Sequence, residues 1–385
     1  EISECLVGSE MCIRDRSYAD LQEHRYYGND VTVPGNKADV LDGTKIASPT
    51  QAAYNRIRLG YDSIDSLDVT DAAGTTTKTS ANGSTVTISY NYTDTTGTTP
   101  VNKTGNMNVT VYDSYDKWLE ASTKTPKSYD IADGEAVLIR NTGEMVFSKT
   151  AADTLSTNKA SLDISYTKTG FTNGELRPEY YYNCTNITDT NNKLKYEKYD
   201  KDGNQIYQDI DYVVAANQTL TVNTEASNVF DHGLSRDVDE LIDAVQRSLD
   251  AEQKVTDLNA MKKMQEYSSD DCQAKLEEWI AAAEKERDYA NDNMQKLYNS
   301  YIGNCDTYLN KVNLALTDVG SKGQSLALTK NRMSNEQETM EELKSKNEDR
   351  ELSDIILEYT AAYTAYQSSL QAASKVNQVT LLSYL

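Results

Sequence analysis

Residues 352–373 read LSDIILEYTAAYTAYQSSLQAA, and this stretch carries the clearest structural pattern in the chain. Its apolar residues recur at alternating spacings of four and three, which is the heptad pattern of a helix that packs against another helix. The pattern then shifts by one position and continues to residue 385. The residues that we predict to form an assembly interface are Leu352, Ile356, Tyr359, Tyr363, Tyr366, Leu370, Ala373, Val376, Val379, Leu382 and Leu385.

A helix with one apolar side is not stable alone in water and must be covered by another element. One interpretation is a core helix that packs within its own chain. The other is an assembly helix, residues 351–385, that finds its partners only in a polymer.

Residues 231–350 also favour helices and predict a helical rod domain. Proline disappears after residue 231 and glycine becomes scarce, while Ala, Leu, Glu, Gln, Lys and Met dominate. Ser235 is the predicted N-cap of the first helix. Residues 268–271 predict a break, followed by a second helix from about residue 271 to 318. Residues 319–323 are either a turn or a stretch of low helix propensity within a continuous helix. The apolar stripe predicted for the first helix is Val238, Leu241, Ile242, Val245 and Leu249.

Residues 50–230 predict an antiparallel β domain, because they are rich in Thr, Asn, Gly and Tyr and show strands with period two. In the clearest strand, residues 84–92, the side chains of Val86, Ile88, Tyr90 and Tyr92 share one face. Residues 141–143 predict a hairpin turn, and residues 68–82 and 93–104 predict loops. The further strands predicted in this domain are residues 106–112, 136–139, 162–166 and 210–214. A helical half beside an antiparallel β domain makes the fold class α+β.

Residues 1–16, EISECLVGSEMCIRDR, resemble translated adaptor readthrough, and we set them aside as non-native sequence. The alternative is a genuine short helix. If the stretch is non-native, the natural protein is expected to begin upstream of it. Residues 17–49 then read as an irregular connector.

The composition excludes several functions. The net charge of −22 over 385 residues repels phosphate backbones and argues against nucleic acid as a partner. The sequence contains no run of 18 apolar residues, so we expect no insertion into a membrane. Cys184, Cys272 and Cys305 read as isolated thiols, and His24 and His232 as surface histidines, so we expect neither a metal nor a cofactor. The sequence contains no P-loop, nucleophile elbow or HExxH motif, and we expect no enzymatic activity.

Residues 311–385 resemble the carboxyl-terminal region of the flagellin superfamily, nearest to the flagellar hook–filament junction proteins. Residues 319–323 (VGSKG) are similar to the VGAKG stretch of that family, and residues 328–336 (LTKNRMSNE) follow it. Residues 366–372 (YQSSLQA) and the ending LLSYL complete the likeness. The resemblance covers the helices from residue 235 more loosely and the β domain little, since that domain varies widely in the family.

The resemblance implies a structural subunit that the flagellar type III apparatus exports unfolded and that is extracellular. Its helical chain ends would pair in the inner tube of a helical axial assembly, and the β domain would face outward. The implied partners are further copies of the chain, a neighbouring hook-associated protein, flagellin and an export chaperone. The resemblance also implies an N-terminal helical half, which we expect to be missing from this sequence. Flagellin itself is the main alternative, and a surface adhesin with a β domain on a helical stalk is a further one.

Overall fold

The computed structural model describes residues 9–71, 73–94, 100–172, 174–189, 191–200, 204–215, 218–349 and 351–378. A large, mostly antiparallel sheet precedes a long helical region, so the predicted α+β class is confirmed. The chain forms two compact units. The first comprises Glu1–Gln208 and Thr224–Ala315, and the second comprises Asp209–Asn223 and Leu316–Leu385.

Within the described residues, twelve strands form the main sheet. They are β1 (Ser9–Ser17), β2 (Gln22–Gly28), β3 (Thr50–Arg58), β4 (Ser66–Thr70), β5 (Thr76–Thr79), β6 (Ser84–Asp94), β7 (Val101–Tyr112), β8 (Ala136–Ile139), β9 (Glu144–Phe147), β10 (Ser161–Lys168), β11 (Asn183–Asn186) and β12 (Leu194–Tyr196). Their order is β12-β11-β1-β10-β6-β7-β8-β9-β3-β2, with β4 beside β10 and β5 beside β4. The strands β7 and β8 pair in parallel, and the other pairs are antiparallel. A separate hairpin, β13 (Asp211–Ala215) and β14 (Gln218–Thr221), belongs to the second unit.

The period-two pattern of β6 correctly predicts its core face. Ile88 is buried, and Val86, Tyr90 and Tyr92 pack against the same cluster of buried side chains. The predicted turn at residues 141–143 joins β8 to β9, and Gly143 adopts a φ of 59° there. A Cβ atom at this position would lie 2.0 Å from the Tyr61 carbonyl oxygen, so the turn requires glycine.

The described helices vary widely in length. They are α1 (Lys37–Leu41), α2 (Tyr115–Glu120), α3 (Lys149–Thr157), α4 (Ala226–Val229), α5 (Gly233–Lys262), α6 (Asp270–Glu348) and α7 (Leu352–Gln378). The break predicted at residues 268–271 is confirmed, because α5 ends before it and α6 begins within it. Of the two alternatives for residues 319–323, the structure shows the continuous helix and not the turn, so α6 does not end near residue 318. The helix α6 continues through Gly320 and Gly323, whose cost of about 1 kcal/mol each the long helix tolerates.

The predicted start of α5 is wrong, and its predicted apolar face is only partly the buried one. The helix begins at Gly233 because the Asp231 carboxylate accepts a hydrogen bond from the Gly233 amide at 3.0 Å, and Ser235 lies inside the helix. Val238, Ile242 and Leu249 from the predicted stripe are exposed, whereas Leu241 and Val245 are half-buried. Several of the side chains that α5 buries are small. The buried side chains are Asp237, Ala244, Ser248, Ala251, Val255, Leu258 and Met261.

Residues 17–49 are not an irregular connector, since they contain β2. The side chain of Tyr26 packs with Trp118, and the side chain of Tyr27 packs with Ala251 and Ala290. Because both tyrosines are buried in different clusters, this strand lacks the alternation that period-two analysis detects. The predicted loops at 68–82 and 93–104 also contain strand residues from β4, β5, β6 and β7.

Residues 9–17, most of which we set aside as non-native, form β1 between β10 and β11. This part of the stretch therefore belongs to the sheet. Its interpretation as non-native sequence stays a prediction.

Candidate assembly surface

The helix α7 is exposed over residues 352–376. Every side chain of residues 352–376 is exposed, with Leu352 at 72%, Tyr359 at 67% and Val376 at 76% of full accessibility. Large apolar and aromatic side chains seldom lie open to water in an unbroken row on one element. Among the described residues no element covers this helix.

Those predicted interface residues that the structure describes all lie on one helix. Leu352, Ile356, Tyr359, Tyr363, Tyr366, Leu370, Ala373 and Val376 lie on α7 and are exposed. The spacing of three and four places the first seven on one side of the helix. Val379, Leu382 and Leu385 lie outside the described residues.

The threonine and serine hydroxyl groups of α7 bond to the helix backbone, so they do not occupy the side of the helix that carries the tyrosines. Thr360 donates to the Ile356 carbonyl at 2.7 Å, Thr364 to the Thr360 carbonyl at 2.7 Å, and Ser369 to the Ala365 carbonyl at 2.8 Å. These bonds satisfy the hydroxyls within the helix backbone. The rings of Tyr359 and Tyr363, one turn apart, stack with centroids 6.0 Å apart. A tyrosine row of this kind suits an interface, because the ring buries area while the hydroxyl keeps a polar partner.

We call α6 up to Ala315 its proximal part and α6 from Leu316 on its distal part. The distal part carries a second exposed apolar column that the sequence analysis missed. Val319, Leu326, Met333 and Met340 recur every seven residues, and all four are exposed. The alternate heptad positions hold Gly323 and polar residues such as Lys330, which interrupt the pattern. A search for a spacing of seven alone, rather than of four and three, would have found the column. Methionine adapts to irregular partner surfaces because its side chain is unbranched and flexible.

The hairpin β13–β14 is attached to the distal part of α6 through cationic side chains. Lys322 Nζ donates to the Asn223 carbonyl at 2.9 Å, and Arg332 Nη2 donates to the Val214 carbonyl at 3.2 Å. Tyr212 and Val213 on this hairpin remain exposed. The second unit therefore presents apolar side chains from α6, α7 and the hairpin.

In contrast, the first unit holds α5 and the proximal part of α6 against the sheet with a buried cluster of charges. Arg56 lies at its centre, with Nη1 2.8 Å from Glu144 Oε1 and Nη2 2.6 Å from Glu240 Oε1. Arg58 pairs with Asp237, and Tyr301 donates to Glu240. Because buried charges are costly unless they are paired, this cluster fixes how the helices sit on the sheet.

His24 belongs to this cluster and is buried, so its reading as a surface histidine is wrong. Its Nδ1 lies 3.7 Å from Glu240 Oε1, and its ring packs edge-on against Tyr26. Burial and the neighbouring Arg56 hold the pKa of His24 well below its ordinary value. Burial alone would raise the pKa of Glu240, but Arg56, His24 and Arg58 together lower it to about 2.

The other sequence-predicted groups show no arrangement that carries chemistry. Cys272 is a buried free thiol and Cys305 an exposed one, as expected. His232 is half-buried rather than on the surface, and its Nε2 lies 2.5 Å from the Tyr182 hydroxyl. Among the described residues, no group of three or more His, Cys, Asp and Glu side chains could hold a metal ion. No helix in the described ranges is both long and apolar enough to cross a membrane.

Comparison with protein-family models, with curated proteins and with solved structures found no match to this chain.

Proposed function

We propose that this chain is a structural subunit of the bacterial flagellum at the hook–filament junction, and that it assembles through its helical carboxyl-terminal region. The observation that carries the proposal is the row of exposed apolar and tyrosine side chains on α7. A surface of this kind is typical of an element that becomes buried when copies associate.

The size of the α7 surface favours assembly into a polymer. Burying one large apolar side chain stabilises by about 1.5–3 kcal/mol, so the six large residues of the row from Leu352 to Leu370 supply on the order of 10 kcal/mol. Association costs about 4–15 kcal/mol in lost freedom of motion. One contact of this size is therefore marginal, and several contacts per subunit, as in a helical lattice, make the assembly stable.

The resemblance of residues 311–385 to the hook–filament junction proteins supports the flagellar assignment. Under this proposal the chain is exported by the type III apparatus, is extracellular and has no enzymatic activity. Its partners are further copies of the chain, a neighbouring hook-associated protein, flagellin and an export chaperone. Flagellin is the second candidate, because an exposed helix such as α7 would serve a filament subunit equally well.

Immunogold electron microscopy of cells that carry the gene tests this proposal. Antibodies would be raised against residues 100–172 of the sheet, and a preparation from a strain lacking the gene is the control. We expect gold particles at a single band where the hook meets the filament. Particles along the whole filament would indicate flagellin, and particles on the cell body away from flagella would indicate an adhesin.

A further inference from the structure

A second candidate site lies in the first unit. A cavity of about 480 Å³ opens between the segment before β11, the loop that follows β12, α4 and the middle of α6. Small-molecule sites in proteins have volumes of about 300–1,000 Å³. Nothing in the proposed assembly role uses this cavity.

Tyrosines make up much of the wall. Tyr181, Tyr182, Tyr199 and Tyr207 line the cavity. The first two are held in place, because the Tyr181 hydroxyl donates to the Phe230 carbonyl at 3.1 Å and the Tyr182 hydroxyl lies 2.5 Å from His232 Nε2. Tyr207 is 58% exposed at the rim. The cavity therefore offers flat apolar ring surfaces with hydroxyl groups at their tips.

The remaining wall is polar, with amide and hydroxyl groups and one ion pair. Gln205 Nε2 donates to Asn228 Oδ1 at 2.6 Å, and Ser227 lies beside them. Amide and hydroxyl side chains both donate and accept hydrogen bonds. The two charged residues, Asp231 and Lys311, neutralise each other through a contact of 2.8 Å between Asp231 Oδ2 and Lys311 Nζ. This lining selects for neither an anion nor a cation.

We propose that this cavity binds a neutral hexopyranose unit of a saccharide. A hexopyranose has an apolar face of C–H groups that fits a tyrosine ring, and hydroxyl groups that both donate and accept. Tyr207 would cover the sugar at the rim, and Gln205 and Asn228 would bond its hydroxyls. This inference is independent of the flagellar assignment, since it uses only residues of the first unit.

Isothermal titration calorimetry on the full chain tests the inference. The probes are glucose, galactose, mannose and N-acetylglucosamine, with adenosine as a flat non-sugar comparison. We expect at least one hexose to bind with a dissociation constant on the order of 1 mM, as its few atoms permit. Tyr207→Ala should weaken binding roughly five- to tenfold, and Tyr207→Phe, which keeps the ring, by about twofold or less.

Tyr180→Ala is the matched control, because Tyr180 is similarly exposed, at 55%, and does not line the cavity. It should bind the hexose as the unchanged chain does. The inference is overturned if none of the four hexoses binds, if adenosine alone binds, or if Tyr180→Ala weakens binding as much as Tyr207→Ala.

Discussion

The helices α5 and α7 have similar lengths, 30 and 27 residues, yet they lie in opposite surroundings. The helix α5 buries Ala251, Val255 and Leu258 against its neighbours. None of the side chains described on α7 is buried. Periodicity therefore reports that a helix has an apolar side, but it does not report what covers that side. In the first unit the sheet and α6 cover one side of α5, whereas no described element covers α7.

The largest expected difference is between truncating one side chain on a helix of the first unit and truncating one on α7. Trp279 on the proximal part of α6 is fully buried and donates from Nε1 to the Val40 carbonyl at 3.2 Å. We expect Trp279→Ala to lower the free energy of unfolding by about 3–5 kcal/mol, because it leaves a cavity. Leu370→Ala on α7 should change it by about 0.5 kcal/mol or less. Urea unfolding followed by circular dichroism measures both, and equal losses would break the comparison.

A slightly smaller effect is expected from the buried charge cluster. Arg56→Met keeps much of the side-chain volume but leaves Glu144 buried without its cationic partner. We expect the free energy of unfolding to fall by about 3 kcal/mol. The control is Lys344→Met, which removes an exposed partner of Glu348 on distal α6 and should cost about 0.5 kcal/mol or less. If Arg56→Met were as mild as the control, the cluster would not hold the first unit together.

The buried charge cluster should also make the stability of the first unit depend on pH. The pKa of His24 is lower in the folded chain than in the unfolded chain, so the unfolded chain gains the proton first as the pH falls below about 6.5. Stability should then fall with decreasing pH by up to about 1.4 kcal/mol per pH unit. Glu240, with a folded pKa of about 2, adds a further loss below about pH 4.5.

His24→Gln tests the first of these losses, because glutamine does not titrate. Unfolding in urea at pH 7, 6 and 5 should show a flatter slope for the variant than for the unchanged chain. An identical slope in both proteins would show that His24 is not the group that titrates.

The smallest effect on stability, and the largest on assembly, is expected from charges on α7. Tyr363→Asp and Leu370→Asp should leave the unfolding free energy of the dissociated chain within about 0.5 kcal/mol, because both positions are exposed. Both should abolish incorporation into the axial structure, because an unpaired charge in a packed interface costs several kcal/mol. Gln367→Asp, beside the tyrosine row, is the control and should incorporate. Incorporation is measured by the immunogold labelling proposed above.

Sequence patterns predicted local structure well where one face of an element alone is buried. The strand β6 follows from the alternation of its residues. The hairpin turn follows from the turn residues 141–143, of which Gly143 adopts a positive φ. Both faces of β2 are buried, and α5 packs through alanines, so simple periodicity was misleading in both. The clustering of Arg56, Glu144, Glu240 and His24 joins distant parts of the chain, and no local pattern encodes it. The apolar row on α7 could be predicted because its residues lie on consecutive turns of one helix, and its role as an interface stays a prediction.

Hydrogen–deuterium exchange of residues 352–376 tests the central claim most directly, by comparing the dissociated chain with flagella that contain it. Residues of α5 provide the internal reference, because they are packed in the first unit. We predict that α7 amides exchange much faster than α5 amides in the dissociated chain and become protected in the assembled state. Exchange of α7 that is the same in both states, or as slow as that of α5 before assembly, would contradict the account.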